Sequence, residues 1–172
     1  MGSGSPIDCI SIFSETPVVP SFDVRPGDFS DPRVIALLDH HFRDMHANSP
    51  PGKAFVLDIT ELQTKDITFL TLWDGDALMG CGALKELSST TGEIKSMRTA
   101  EQHLRKGVAA RLLAEFMAIG IQRNYERLSL ETGRGPTFEG AIALYTKYGF
   151  LPGDKFANYQ SSDFNQFFHL EL

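Results

Sequence analysis

Gly92-Glu93-Ile94-Lys95-Ser96-Met97-Arg98-Thr99 runs, through a short polar turn, into Leu104-Arg105-Lys106-Gly107-Val108-Ala109-Ala110-Arg111. The first run reads as a strand and the second as the start of a helix. Glycine and small residues stand where the backbone must stay accessible. A strand feeding a Gly-containing turn and a helix N-terminus makes a place to hold phosphate, because the first N–H groups of a helix lack internal acceptors and its dipole favours anions. Lys95, Arg98, Arg105, Lys106 and Arg111 gather positive charge here, against only Glu93 and Glu101. The whole chain carries a formal net charge of −6, which disfavours general nucleic-acid binding. A basic patch on an acidic protein suits a small polyanion; the plainer reading is a solvated helix start.

Upstream, residues 22–25 alternate apolar and polar before Pro26-Gly27 and read as a first strand. Asp31 is a helix cap with Pro32 in the first turn, and Val34, Leu37, Leu38, Phe42 and Met45 recur at helical spacing through His46. Asn48-Ser49-Pro50-Pro51-Gly52 breaks that helix, and residues 58–63 fit one short helical turn or two. Strands follow at 67–73, 77–87 and 93–99, joined by the hairpin signal Asp74-Gly75-Asp76 and a turn at 88–92. Gly80 and Gly82 inside the second of these suggest a bulge or close backbone approach.

Downstream, a helix is expected from about 106 to 123, with Val108, Leu112, Leu113, Phe116 and Met117 on one face. A strand at 127–131 leads through Gly133-Arg134-Gly135-Pro136 into a helix ending at Tyr148, with Gly149 placed to close it. Phe150-Leu151 opens another strand, and residues 164–172 alternate as a last one. An antiparallel meander followed by strand–helix–strand–helix–strand gives an α+β fold: a mixed sheet with helices on both faces.

The length of 172 residues suits one domain, expected over residues 21–172. Met1-Gly2-Ser3-Gly4-Ser5 resembles a cloning remnant, and residues 1–20 read as flexible. Cys81 lies in an apolar run and Cys9 in the N-terminal stretch, with no metal-ligand or disulfide spacing, so a reducing cytoplasm and no metal are expected. No apolar stretch is long enough to span a membrane.

Residues 93–111 together with Ala141, Leu144-Tyr145 and Gly149-Phe150 resemble the GNAT superfamily of acyl-CoA-dependent N-acyltransferases, in the order and spacing of its motifs, from Phe22 onward. The runs 93–99 and 129–133 look like a bacterial branch of small members. The family's phosphate turn is Gln or Arg, two residues, Gly, one residue, then Gly or Ala. Leu104, Gly107 and Ala109 hold those positions, so Leu104 departs from the pattern and Arg105 beside it supplies charge. Phe138 stands where many members carry an Asn that contacts the cofactor.

The resemblance implies that the strand at 93–99 and the one at 127–132 splay apart around the pantetheine arm of acetyl-CoA. The main chain of Met97 and Thr99, with Arg98 between them, would grip that arm, and the Met97 N–H would polarise the thioester carbonyl. The turn of Arg105, Lys106, Gly107, Val108, Ala109 and Ala110 would cradle the pyrophosphate, Gly107 keeping the approach free of a Cβ. Phe138, Ala141 and Leu144 would complete the cofactor wall. By position, Tyr145 would face the departing sulfur; the plainer reading is a tyrosine packed on the sheet.

Transfer to an amine needs a base, because an alkylamine resembles Lys, with a pKa of about 10.4. Glu93 is the first candidate, through water, with Glu131 on the neighbouring strand second. Strand alternation predicts Glu93, Lys95 and Met97 on one face; the plainer reading of Glu93 is a partner for Lys95 or a neighbouring strand. His41 and Ser49, with His40 and His46 nearby, are expected on one acceptor wall, and Asn158 and Tyr159 on the other. At most one of the adjacent His40 and His41 can face the site.

The reading is therefore an N-acetyltransferase moving an acetyl group from acetyl-CoA to a small-molecule or peptide amine by direct attack. The resemblance leaves room for a homodimer through the C-terminal strands. A non-catalytic acyl-CoA-binding module of the same fold is the alternative. An unrelated nucleotide-binding domain fits less well, since the turn lacks the Lys-Ser/Thr ending of a P-loop and the glycines of a dinucleotide fingerprint.

Overall fold

The computed structural model describes residues 22–172; the expectations for residues 1–20, including Cys9, lie outside them. Strands β1 (Asp23–Pro26), β2 (Ile67–Asp74), β3 (Ala77–Ser88) and β4 (Thr91–Thr99) form the antiparallel meander. Helices α1 (Pro32–Ala47) and α2 (Ile59–Leu62) lie between β1 and β2. After β4 come α3 (Val108–Gln122), β5 (Arg127–Thr132), α4 (Pro136–Lys147), β6 (Leu151–Gly153) and β7 (Gln166–Glu171). The sheet order is β1-β2-β3-β4-β5-β7-β6, and β4–β5 is the parallel pair.

Local chemistry explains most boundaries. The Asp31 carboxylate accepts the Arg33 N–H at 2.8 Å with Pro32 in the first turn, which starts α1. Asp58 and Glu61 form a reciprocal capping box on α2. Gly149, at φ +92°, follows the last turn of α4 and turns the chain toward β6. The turn before β4 is tighter than the expected 88–92, since Ser88 already pairs with Thr91. The last strand, β7, inserts between β5 and β6 and pairs antiparallel with both. Nothing in the local pattern of either strand specifies that insertion.

Alternation along the strands divides the core between the two faces. Leu70, Leu72, Leu84 and Ile94 pack with Leu112, Leu113 and Phe116 of α3, while Phe69, Trp73, Cys81 and Ala83 pack with Val34, Leu37 and Leu38 of α1. Both glycines of β3 serve close approach. A Cβ on Gly80 would stand 2.6 Å from Val108, and one on Gly82 would stand 2.7 Å from the Met97 sulfur and 2.8 Å from the Phe116 ring.

That last contact corrects one expectation. Lys95 pairs with Ala83 and Arg98 with Cys81, so Ser96 and Met97 together oppose Gly82, and Ser96 adopts φ +51°. This is a bulge, and it breaks the two-residue period. Met97 therefore packs on the α3 side of the sheet, away from the face that carries Glu93 and Lys95.

Candidate active site

β4 and β5 are paired only from Thr91 to Glu93 on one strand and Arg127 to Ser129 on the other. Beyond that point no residue of β4 has a ladder partner on β5, and the strands part. The opening holds a chamber of about 220 Å³ bordered by residues 93–98 of β4, Glu131 to Gly133, Phe138, Ala141 and Tyr145 of α4, and His41, Asp44 and Met45 of α1. Ser49 and residues 53–56, in the segment after α1, close another side. The expected Tyr145, Glu93, Met97, Arg98, Phe138, Ala141, His41, Ser49 and Glu131 thus meet in one place.

Glu93 is 3% exposed, and its Oε1 accepts the Lys95 ammonium at 2.9 Å and the Tyr159 hydroxyl. Lys95 also donates to the Tyr159 oxygen at 2.5 Å. The plainer reading of Glu93, an ion pair with Lys95, is the arrangement observed. Tyr159 and Asn158 border an outer groove instead of the chamber, and that groove shares Ala54, Phe55, Val56, Glu93 and Lys95 with it. Burial and the neighbouring Glu93 charge hold the Tyr159 hydroxyl protonated well above its ordinary range.

Glu131 differs from Glu93. It makes no hydrogen bond or ion pair among the described residues, and burial, offset in part by Lys95 and reinforced by Glu93, lifts its carboxyl pKa to about 7. Tyr145 is 8% exposed and its hydroxyl has no hydrogen-bond partner among the described residues; burial pushes its pKa to about 12.

On α1, His41 is buried and its Nδ1 has no partner among the described residues, and burial, with the Arg98 charge second, lowers its pKa to about 4. It is neutral at physiological pH. His40 turns away to Glu101 at 3.2 Å, and the His46 Nδ1 lies 2.9 Å from the Phe42 carbonyl. Arg98 binds Asp44 at 2.5 Å, which holds the Asp44 carboxyl below its ordinary value, while the Arg98 Nε and the Ser96 hydroxyl are buried without partners among the described residues. Cys81 is fully buried with its thiol pushed to about 12, so it is no nucleophile.

The phosphate turn lies outside the chamber. Arg105 and Gly107 both adopt positive φ, +60° and +83°, and no side chain caps α3. The first bond into the helix is Arg111 N–H to the Gly107 carbonyl at 2.9 Å, leaving the N–H groups of Val108, Ala109 and Ala110 without helical acceptors. A Cβ on Gly107 would meet nothing within 4 Å among the described residues beyond its chain neighbours, so it is the positive φ and not crowding that calls for glycine there. Leu104, Arg105 and Lys106 are exposed, with Lys106 Nζ 3.3 Å from His103 Nδ1. The Val108 side chain is buried against β3 and offers a ligand only its backbone; Leu144 packs on the α3 core, and Thr99 and Leu144 do not border the chamber.

Asp44, Lys53 and Phe55 were not singled out from the sequence. Asp44 was within reach, because it lies three residues after His41 and so shares its helix face. Lys53 carries no local signal, since the strap that holds it has no period. Among the described residues no cluster of three or more His, Cys, Asp or Glu side chains is placed to hold a metal, and no helix is long and apolar enough to cross a membrane.

Comparison with known proteins agrees with this geometry. The model of the acetyltransferase (GNAT) family matches residues 34–150. The chain is 45% identical over 136 residues to the uncharacterized N-acetyltransferase YsnE of Bacillus subtilis, covering 79% of this chain and 90% of that one. It is 39% identical over 151 residues to the uncharacterized N-acetyltransferase YedL of Escherichia coli, covering 88% and 95%. A GNAT family acetyltransferase from Elizabethkingia anophelis, solved with acetyl-CoA bound, shares the fold at a TM-score of 0.65 and 21% identity over 88% of this chain and 98% of that one. The splayed β4–β5 pair, the uncapped glycine turn before α3 and the family match over residues 34–150 converge on one assignment: this chain belongs to the acetyltransferase (GNAT) family.

Proposed function

We propose that the protein transfers an acetyl group from acetyl-CoA to a primary amine by direct attack in a ternary complex. The observation that carries this reading is the pairing, in one chamber, of an unpartnered carboxylate at Glu131 with an unpartnered hydroxyl at Tyr145, beside the bared edge of β4. Acetyl-CoA supplies the activated acyl group as a thioester.

The backbone N–H groups of Val108, Ala109 and Ala110 hold the pyrophosphate, with Arg105 and Lys106 adding charge and Gly107 giving the turn its shape. The main chain around Met97 and Thr99 takes the pantetheine arm, and the Met97 N–H, in the bulge, polarises the acyl carbonyl. Phe138 and Ala141 form its apolar wall. Glu131 takes the proton that the attacking amine must lose: a base whose pKa lies near the working pH suits that task. Glu93 orders the wall instead, since its carboxylate is already engaged by Lys95 and Tyr159. Tyr145 stays protonated at neutral pH and donates a hydrogen bond to the departing sulfur.

Thermal unfolding with acetyl-CoA, CoA and ATP tests the reading. A ligand at a hundredfold excess over Kd stabilises the fold by about 2.7 kcal/mol. Acetyl-CoA and CoA are expected to raise Tm and ATP is not; an amine screen for CoA release then follows. No shift with acetyl-CoA overturns the proposal. Binding without turnover of any amine favours a non-catalytic acyl-CoA sensor of the same fold.

A further inference from the structure

The charged residues that border the chamber are three cations, Lys53, Lys95 and Arg98, and three anions, Asp44, Glu93 and Glu131. Two pairs cancel internally: Arg98 with Asp44 at 2.5 Å and Lys95 with Glu93 at 2.9 Å. Lys53 and Glu131 remain, neither in an ion pair among the described residues and both half-buried. His41 adds no charge, being held neutral at physiological pH. Among the described residues, one cation and one anion outside any ion pair therefore border a chamber of about 220 Å³, below the roughly 300–1,000 Å³ of most ligand sites.

We infer that the acceptor is a small amine carrying its own carboxylate, an amino acid in zwitterionic form, with its ammonium at Glu131 and its carboxylate at Lys53. The inference rests on the acetyl-transfer reading for its chemistry. The free lysine is not explained by the phosphates of CoA, because the Arg105–Ala110 turn that suits them does not border this chamber. A dicationic amine would need a second unpaired carboxylate, and among the described residues the chamber has none. An amine with a neutral tail would leave Lys53 partly desolvated without a counter-charge.

In the transfer the amine nitrogen bonds the acyl carbon and the carbon–sulfur bond breaks. Of the three ammonium protons, one passes to Glu131 and on to solvent, one ends on sulfur as the thiol, and one stays on the amide.

The test uses the full chain loaded with CoA. The twenty common amino acids, their α-amides, their decarboxylated amines and putrescine are compared by calorimetric binding, and by acetyl-CoA turnover. The expected result is at least one free amino acid that binds tenfold or more tighter than its amide and its decarboxylated amine. Lys53→Met should erase that preference, and Lys53→Arg should restore most of it. Preference for the amide, the plain amine or putrescine overturns the inference, as does a Lys53→Met variant that weakens all four classes equally, or no binding by any amino acid. Amines acetylated without such a preference leave the transfer reading intact and sink only the acceptor class. Lys53-dependent binding of an amino acid without turnover does the reverse.

Discussion

Replacing Glu131 with glutamine keeps the side chain's shape and removes its charge. In the folded chain burial raises the Glu131 pKa from an ordinary 4.5 to about 7. A folded-state pKa above the unfolded one means the folded state holds its proton more tightly. The stabilisation is therefore complete below about pH 4.5 and is lost as pH rises to about 7. The gap of about 2.5 pH units, at about 1.36 kcal/mol each, comes to roughly 3 kcal/mol at pH 8 and less than about 1 kcal/mol at pH 5. Water entering the chamber makes this an upper bound. Glu131→Gln should escape the loss, so the variant should be more stable than the parent by up to about 3 kcal/mol at pH 8, with the difference shrinking toward pH 5. Urea unfolding of both chains at the two pH values reads this directly, and contributions from every other titrating group cancel in the comparison. Acetyl transfer should move the other way, falling about 10²- to 10⁴-fold if the group is the general base. The parent's kcat/KM should decline below about pH 7, and the variant's residual rate should lack that limb. A variant no more stable at pH 8, or a stability difference that does not change with pH, would refute the burial argument. A variant with full turnover would remove Glu131 from the proton-transfer role.

Tyr145→Phe deletes one hydroxyl that no other described residue engages. It should lower kcat about ten- to a hundredfold, the worth of a hydrogen bond to a charged group, with KM for acetyl-CoA unchanged in steady-state kinetics. Gly107→Ala places a side chain at φ +83° in open space. It should destabilise the fold by only about 1–2 kcal/mol in denaturant unfolding, while weakening CoA at least tenfold by calorimetry; unchanged affinity would place the pyrophosphate elsewhere. Phe116→Ala empties the fully buried centre of the α3 face beneath Gly82 and Met97. It should cost about 3–5 kcal/mol of stability, and a loss below about 1 kcal/mol would mean that the face repacks.

Glu93 and Glu131 show where sequence reasoning stopped. Both lie on strands that pass the same opening, and each reads as a carboxylate near the thioester. They are separated by partners far along the chain: the hydroxyl that engages Glu93 belongs to Tyr159, 66 residues away, and among the described residues nothing comparable reaches Glu131. Met97 is a case of local geometry defeating a local rule. Its expected face followed from alternation, and a bulge at Ser96 and Met97 exchanged it. The histidines illustrate the same limit more mildly. Helical spacing alone requires His40 and His41 to diverge, but only the packing of α1 against the sheet selects His41 for the chamber.

Local sequence signals specify the succession of elements from β1 to β7 and the glycine turn before α3. Each is written in interactions spanning a few residues: apolar period, Asp caps, and the positive φ that Gly107 and Gly149 accept. The insertion of β7 between β5 and β6, the pairing of Arg98 with Asp44, and the isolation of Lys53 and Glu131 among the described residues emerge from long-range packing. Those outcomes depend on which distant groups share a desolvated space. Burial and pairing of charge are properties of the assembled fold that no short window of sequence contains.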